Sequence, residues 1–172
     1  MDGGGRIARR IPGASVIGAR LPERGIGRML REGHRAFNYA LAGRLAPHGI
    51  TLGQWLHLRT LWEEDGLTQV DLAGRIGIEK ASSTPVLDSL EAQRLIRRVR
   101  NKSDRRKSNV FLTPAGKALK ASLVPHAVAI NALARRSLSA RELAAFIKVL
   151  ETMVDNLRRI PEPERRAAAR GG

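Results

Sequence analysis

Between Thr68 and Leu112 the sequence compresses two short helical patterns and a basic hairpin into one continuous run, TQVDLAGRIGIEKASSTPVLDSLEAQRLIRRVRNKSDRRKSNVFL. Thr68, with Asp71 three residues on, has the form of a capping pair that satisfies N–H groups left free by a first helical turn. Val70, Leu72, Ala73 and Ile76 are expected to face inward from that helix, with Gly74 and Gly77 closing it. A turn of about three residues then lets a second helix cross the first steeply. From Glu79 to Glu91 the apolar positions are Val86, Leu87 and Leu90, with small Ser83 in line, so the outward face is Ala81, Ser82, Thr84, Pro85, Asp88 and Ser89. A face so small and hydroxylated fits a DNA major groove without clashing.

After Arg94 the period falls to two. Leu95, Ile96 and Val99 are set against Arg97, Arg98 and Arg100, and Val110 and Leu112 follow a turn expected over Asn101 to Asn109. Lys102, Arg105, Arg106 and Lys107 crowd that turn against one acid, Asp104. Such a tip repels itself unless it meets an anion, and a phosphate backbone meets that need. The pattern is a helix-turn-helix followed by a wing, in a mainly α fold whose only β structure is that wing. Lys80, Ser82 and Thr84 are expected at groove and phosphate, Thr68 and Gln69 at phosphate through helix-start N–H groups, and Lys102, Ser103 and Lys107 at further phosphates.

The runs LTQVDLAGRIGIEK, LDSLEAQRLIRRV and SDRRKSNVFLTPAG resemble the MarR family of winged-helix regulators, and the resemblance extends over roughly Gly25 to Arg159. It implies a winged helix-turn-helix plus a helical dimerisation region. It also implies a homodimer on pseudo-palindromic double-stranded DNA, usually released by a small phenolic or aromatic ligand. Arg106, with Arg105 beside it, matches the family's wing-tip arginine, and Asp104 its orienting partner. The family's ligand cleft would fall near His34, Arg35, Asn38, Trp55 and Arg59, where an arginine beside an aromatic suits an aromatic carboxylate or phenolate.

The sequence departs from the family at Pro85, where an arginine is common. Two geometries follow. Either a helix beginning at Glu79 continues through Pro85 with a bend, or the regular helix begins at Thr84 with Pro85 in its first position. The bent, continuous helix is the expectation. Its outward face lacks Arg, Asn or Gln, so much of the sequence preference is expected from wing arginines and DNA shape.

The rest of the chain frames this element. Residues 1–20 read as a flexible basic arm, residues 21–160 as a single domain with its winged helix over about 51–112, and residues 161–172 as a disordered tail. Helices are expected from Pro22 to Ala46, from a Thr51–Gln54 capping box with Leu52, Trp55, Leu56, Leu58, Leu61 and Trp62 inward, and from Thr113 onward. Pro125 is expected to kink the helix that Thr113 starts, and a Ser139–Glu142 capping box opens the last one. Apolar stripes over about 22–46 and 113–159 exceed what one small domain can bury, which favours pairing with a second copy.

Composition sets what the chain excludes. A net charge of +15 favours a polyanionic partner, and the absence of cysteine removes disulfides, thiolate metal sites and thiol redox sensing. No apolar run approaches the length of a membrane span, so no membrane partner is expected and the cytoplasm is the expected location. The histidines lack metal-ligand spacing, the nearest approach being His57 with Glu63 or Glu64, and no catalytic set or cofactor loop is recognisable. The sequence therefore points away from an enzyme and toward a ligand-responsive, sequence-specific repressor. The alternative is a non-specific architectural DNA binder.

Overall fold

The computed structural model describes residues 25–101, 103–104 and 106–159. The basic arm, the C-terminal tail, Lys102 and Arg105 lie outside the described residues. In chain order come α1 (Ile26–Leu45), a 3-10 turn (Ala46–His48), α2 (Leu52–Glu63), α3 (Gln69–Ile76), α4 (Lys80–Ala92), β1 (Ile96–Arg100), β2 (Ser108–Leu112), α5 (Pro114–Ala134) and α6 (Ala140–Arg158). The chain divides into two compact units between Ala36 and Phe37. In the N-terminal unit the first turns of α1 expose Ile26, Met29 and Leu30.

In the second unit the expected caps are in place. Thr51 and Gln54 form a reciprocal capping box, as do Ser139 and Glu142, and the Thr68 and Thr113 hydroxyls accept from the Asp71 and Gly116 N–H groups. Gly77 ends α3 in the left-handed region at φ 80°, and α4 starts three residues later at Lys80. Gly74, expected to help close α3, lies within it. The core gathers Leu41 and Leu45 of α1, Trp55, Leu58 and Leu61 of α2, Leu72 of α3, Leu87 and Leu90 of α4, Ile96, Val110 and Leu112 of the hairpin, and Leu123 and Ile130 of α5. In α2 and α3 two inward expectations fail, since Leu56 and Val70 are exposed. Each sits where its helix turns a flank to solvent rather than to the core.

The strands pair antiparallel from Ile96↔Leu112 to Arg100↔Ser108. Strict alternation therefore places Arg98 on the Ile96 face and Val99 on the other, so Val99 is exposed and Arg98 half-buried. Asn109, expected in the turn, belongs to β2 and bridges to Thr68. With Gly66 N–H donating to the Val110 carbonyl and Val110 N–H to the Leu67 carbonyl, the loop before α3 acts as a short third edge.

Acidic side chains at the C-terminal end of α2 are disfavoured by the helix dipole, and basic neighbours offset them. Glu64 pairs with Arg75 at 2.7 Å and Asp65 with Lys117 at 3.3 Å. Helix α5 continues through Pro125. Helix α6 is a different case: its 19 residues include none that is buried, and Phe146, Ile147, Val154 and Leu157 lie exposed. Among the described residues no helix is long and apolar enough to cross a membrane.

The hairpin meets α5 at Gly116, where an added Cβ would overlap the Leu95 carbonyl, itself the acceptor for the Thr113 N–H. Backbone atoms on both sides leave no flexible side chain to give way. Gly116→Ala is expected to destabilise the fold by about 1 to 3 kcal/mol, read as a lower urea midpoint with an unchanged m-value.

Candidate nucleic-acid interface and adjoining cavity

Helix α4 runs unbroken from Lys80 through Pro85, with Glu79 as N-cap, so of the two geometries the continuous helix is present. Pro85 brings no N–H to the Ala81 carbonyl, four residues back. Ser83, Leu87 and Leu90 are buried, and Ala81, Ser82, Thr84, Pro85, Asp88 and Ser89 are exposed, as the helical period predicts. The exposed residues are not equally available. Asp88 Oδ1 pairs with Arg98 Nη2 at 2.7 Å, Ser89 Oγ accepts from Gln54 Nε2 at 3.0 Å, and Thr84 Oγ1 donates to the Lys80 carbonyl at 3.1 Å.

Two buried polar groups of α2 hold α4 in place. His57, 1% exposed, lies between the Gly53 carbonyl, 2.7 Å from Nδ1, and Ser83 Oγ, 2.8 Å from Nε2. A carbonyl only accepts, so Nδ1 carries the proton and Nε2 accepts from the Ser83 hydroxyl. Gln54, also buried, donates to Ser89 while its Oε1 accepts from the Thr51 N–H. Neither link is visible as a spacing in the sequence, because each depends on how α2 crosses α4.

The wing is fixed at both ends of its loop. Asn101 Oδ1 accepts from the Ser103 and Asp104 N–H groups at 2.8 and 3.0 Å, and Asn101 Nδ2 donates to Asn109 Oδ1 at 2.8 Å. Asn109 in turn donates to the Gly66 carbonyl at 2.6 Å. Near the tip Asp104 accepts from the Arg106 backbone N–H and from its Nε, both at 3.1 Å. The Arg106 guanidinium beside it holds the Asp104 carboxyl below the usual carboxylate range. Arg106 itself stays 92% exposed, so the pair aims the guanidinium without covering it. Ser103 and Lys107 are exposed as well. At the wing's base Arg98 donates to Glu91 at 2.6 to 2.8 Å, joining β1 to the end of α4 and holding the Glu91 carboxyl below its ordinary range.

Thr68 caps α3, with Gln69 in its first turn half-buried and Lys80 exposed at the start of α4. The described DNA-facing candidates thus occupy the start of α3, the first half of α4 and the wing tip. Sequence reasoning missed Asn101 and Asn109 as the residues that shape the wing. Flanking asparagines around a basic turn were the available signal.

A cavity of about 500 Å³ opens on the other side of α2, between it, the end of α1 and α5. Phe37, Trp55 and Val124 give it an apolar lining, and Arg59 and Lys120 bring cations against a single acid, Glu63. Trp55 and Trp62 meet edge to face with ring centroids 5.7 Å apart, and Trp62 Nε1 donates to the Gly116 carbonyl at 2.9 Å. Of the residues expected at a ligand cleft, Trp55 and Arg59 line this cavity, and Asn38 stands half-buried on α1. His34 and Arg35 are exposed in the N-terminal unit. Among the described residues no group of three or more His, Cys, Asp or Glu side chains is placed to hold a metal, His57 with Glu63 or Glu64 included.

A helix-turn-helix whose second helix presents an open face, followed by a basic two-stranded hairpin, defines a winged-helix DNA-binding protein. The MarR family profile matches residues 50–108, and the chain belongs to that family. It is 39% identical over 95 residues to the transcriptional regulator TtmR of Methylorubrum extorquens, covering 54% of this chain and 49% of that one. The chain thus spans about half the length of that relative. It is 27% identical to the transcriptional repressor NicR of Pseudomonas putida (76% of this chain, 83% of NicR). Against the organic hydroperoxide resistance regulator of Bacillus subtilis the identity is 32% (63% and 72%). Among solved structures, a MarR regulator from Methanosarcina mazei superposes with a TM-score of 0.73 at 28% identity (79% of this chain, 98% of that one). BpsR of Bordetella bronchiseptica, whose DNA binding is regulated by 6-hydroxynicotinic acid, superposes at 0.69 and 27% identity (75% and 98%). The chain is thus a winged-helix protein of the MarR family.

Burial sets the sign of one pH effect. Desolvation pushes the His57 imidazole below its ordinary value of 6.5, against the smaller upward pull of the Gly53 carbonyl. The unfolded chain then takes up a proton that the folded chain resists, so this contribution is complete above pH 6.5 and is lost as pH falls through the lower folded value. Urea midpoints measured from pH 7.5 down to pH 5 are expected to drop more steeply for wild type than for His57→Gln.

Proposed function

We propose that this protein is a transcriptional repressor that binds a pseudo-palindromic operator as a homodimer and is released by a small aromatic anion. The observation that carries the reading is the double role of α2. One side of the helix lines the cavity with Trp55 and Arg59, and another holds the recognition helix through His57–Ser83 and Gln54–Ser89. A ligand that shifts α2 by a fraction of an ångström therefore acts on the groups that set the pose of α4. An aromatic acid suits the cavity because its ring replaces water against Trp55 and Phe37 while its carboxylate meets Arg59. NicR, a repressor, and BpsR, regulated by 6-hydroxynicotinic acid, support the same choice.

On DNA, α4 enters the major groove, the Thr68 and Gln69 end of α3 meets phosphate, and the exposed Arg106 reaches the adjoining minor groove with Asp104 as its brace. Lys80, Ser82 and Thr84 meet the groove and its edges. Ser103 and Lys107 add phosphate contacts, as do Lys102 and Arg105 by their place in the sequence. Dimerisation is supported by the unburied apolar face of α6, which water solvates poorly. Two copies place two recognition helices on half-sites about one helical turn apart.

Titration of the protein against its own upstream DNA and a shuffled duplex, at one salt concentration, tests the reading. At least about 10³-fold preference for its own DNA is expected, lost on adding 6-hydroxynicotinate as probe. Equal binding to both duplexes would instead favour an architectural DNA binder, a reading that the absence of Arg, Asn and Gln from the outward face of α4 supports. Arg106→Ala is expected to weaken operator binding by at least about 10-fold. Arg59→Gln should keep operator affinity and lose the response to the probe. Phe146→Asp is expected to shift the protein from dimer to monomer in sedimentation equilibrium.

A further inference from the structure

We infer that the recognition helix reads the C5-methyl groups of thymine, through a patch formed by Ala81, Thr84 and Pro85. The inference rests on the operator-binding reading above and specifies what the operator offers. These three residues are spaced i, i+3 and i+4 on α4, so their side chains adjoin on one face, and all three are exposed. The polar groups on and beside that face are committed elsewhere. Asp88 is held by Arg98, Ser89 by Gln54, and the Thr84 hydroxyl is turned back onto the Lys80 carbonyl. Once those groups are removed, the face offers the Ala81 methyl, the Thr84 methyl, the Pro85 ring carbons, the Ser82 hydroxyl and the Lys80 ammonium.

Lys80 at the helix start can donate to a guanine or a phosphate, but the Ala81, Thr84 and Pro85 patch itself has no free donor for guanine O6 and N7 and no amide for adenine N6 and N7. The thymine methyl is the apolar group on the major-groove edge of the four bases, and methyl and ring carbons are what this patch can set against it. Pro85 fits the role because its ring is rigid and loses no rotamer freedom on docking. The fold does not use the patch for its own packing, since the core side of α4 is made by Ser83, Leu87 and Leu90.

The test uses the full-length protein and its own upstream duplex, with thymine or with 2′-deoxyuridine throughout, in fluorescence anisotropy at one salt concentration. Uracil keeps the pairing and removes only the methyl. Each buried methyl is worth about 4-fold, so two or more contacts per site predict a loss of at least about 10-fold in affinity. Because the substitution also changes duplex stiffness, Ala81→Gly and Pro85→Ser are measured on both duplexes, with far-UV circular dichroism to check that each variant is folded. The expected result is that either variant binds the thymine duplex more weakly and shows a much smaller uracil penalty than wild type. An undiminished penalty in both variants would overturn the inference by assigning the effect to DNA shape. No penalty in wild type, with preference over the shuffled duplex intact, would overturn it while leaving the repressor reading standing. Equal binding of wild type to its own and shuffled thymine duplexes would overturn both.

Discussion

The buried imidazole of His57 is the pivot of the DNA-reading half of this molecule. It spends one nitrogen on its own helix, through Gly53, and the other on Ser83 of the neighbouring helix. A buried polar group with both nitrogens satisfied is stable in one arrangement and costly in any other, because an unpaired donor or acceptor away from water costs about 1 to 3 kcal/mol. The leucines around it would tolerate small slides of α4 along α2. The hydrogen bond would not, and with Gln54–Ser89 it sets both the depth and the rotation of α4.

The wing obeys the same logic with different parts. Asn109 ties β2 to the loop before α3, Asn101 shapes the turn, and Arg98 anchors β1 to the end of α4. The hairpin is only two strands wide, a width with marginal stability by itself in water. Its order comes from these side-chain links and from Ile96, Val110 and Leu112 in the shared core. Asp104 then extends that order to the tip by fixing Arg106, so a long and otherwise free side chain is presented at reduced entropic cost.

Periodicity made most of this architecture legible. The capping boxes at Thr51 and Ser139, the left-handed Gly77 turn and the buried line of Ser83, Leu87 and Leu90 follow from local chemistry alone. What escaped was whatever depends on pairing partners. Alternation along β1 puts Arg98, two residues from Ile96, on the covered face and Val99 on the other, so an apolar side chain alone misled about which face of the strand is inward. Val70 and Leu56 were misjudged because a helical stripe shows which residues cluster but not where the covered face ends. The bonds of His57, Gln54 and Asn109 span 26 to 43 residues of sequence, and no local pattern encodes them.

The division of labour on α4 has an evolutionary consequence. Its buried side carries the packing and the polar links, whereas Ala81, Ser82, Thr84 and Pro85 are exposed and, among the described residues, their side chains make no hydrogen bond to another element. Substitutions there pass little strain to the fold, so this quartet can diversify nearly free of selection for stability. On the operator-binding reading proposed above, a gene duplicate could acquire a different target by changing a few codons in one helical turn and inherit the rest of the protein intact.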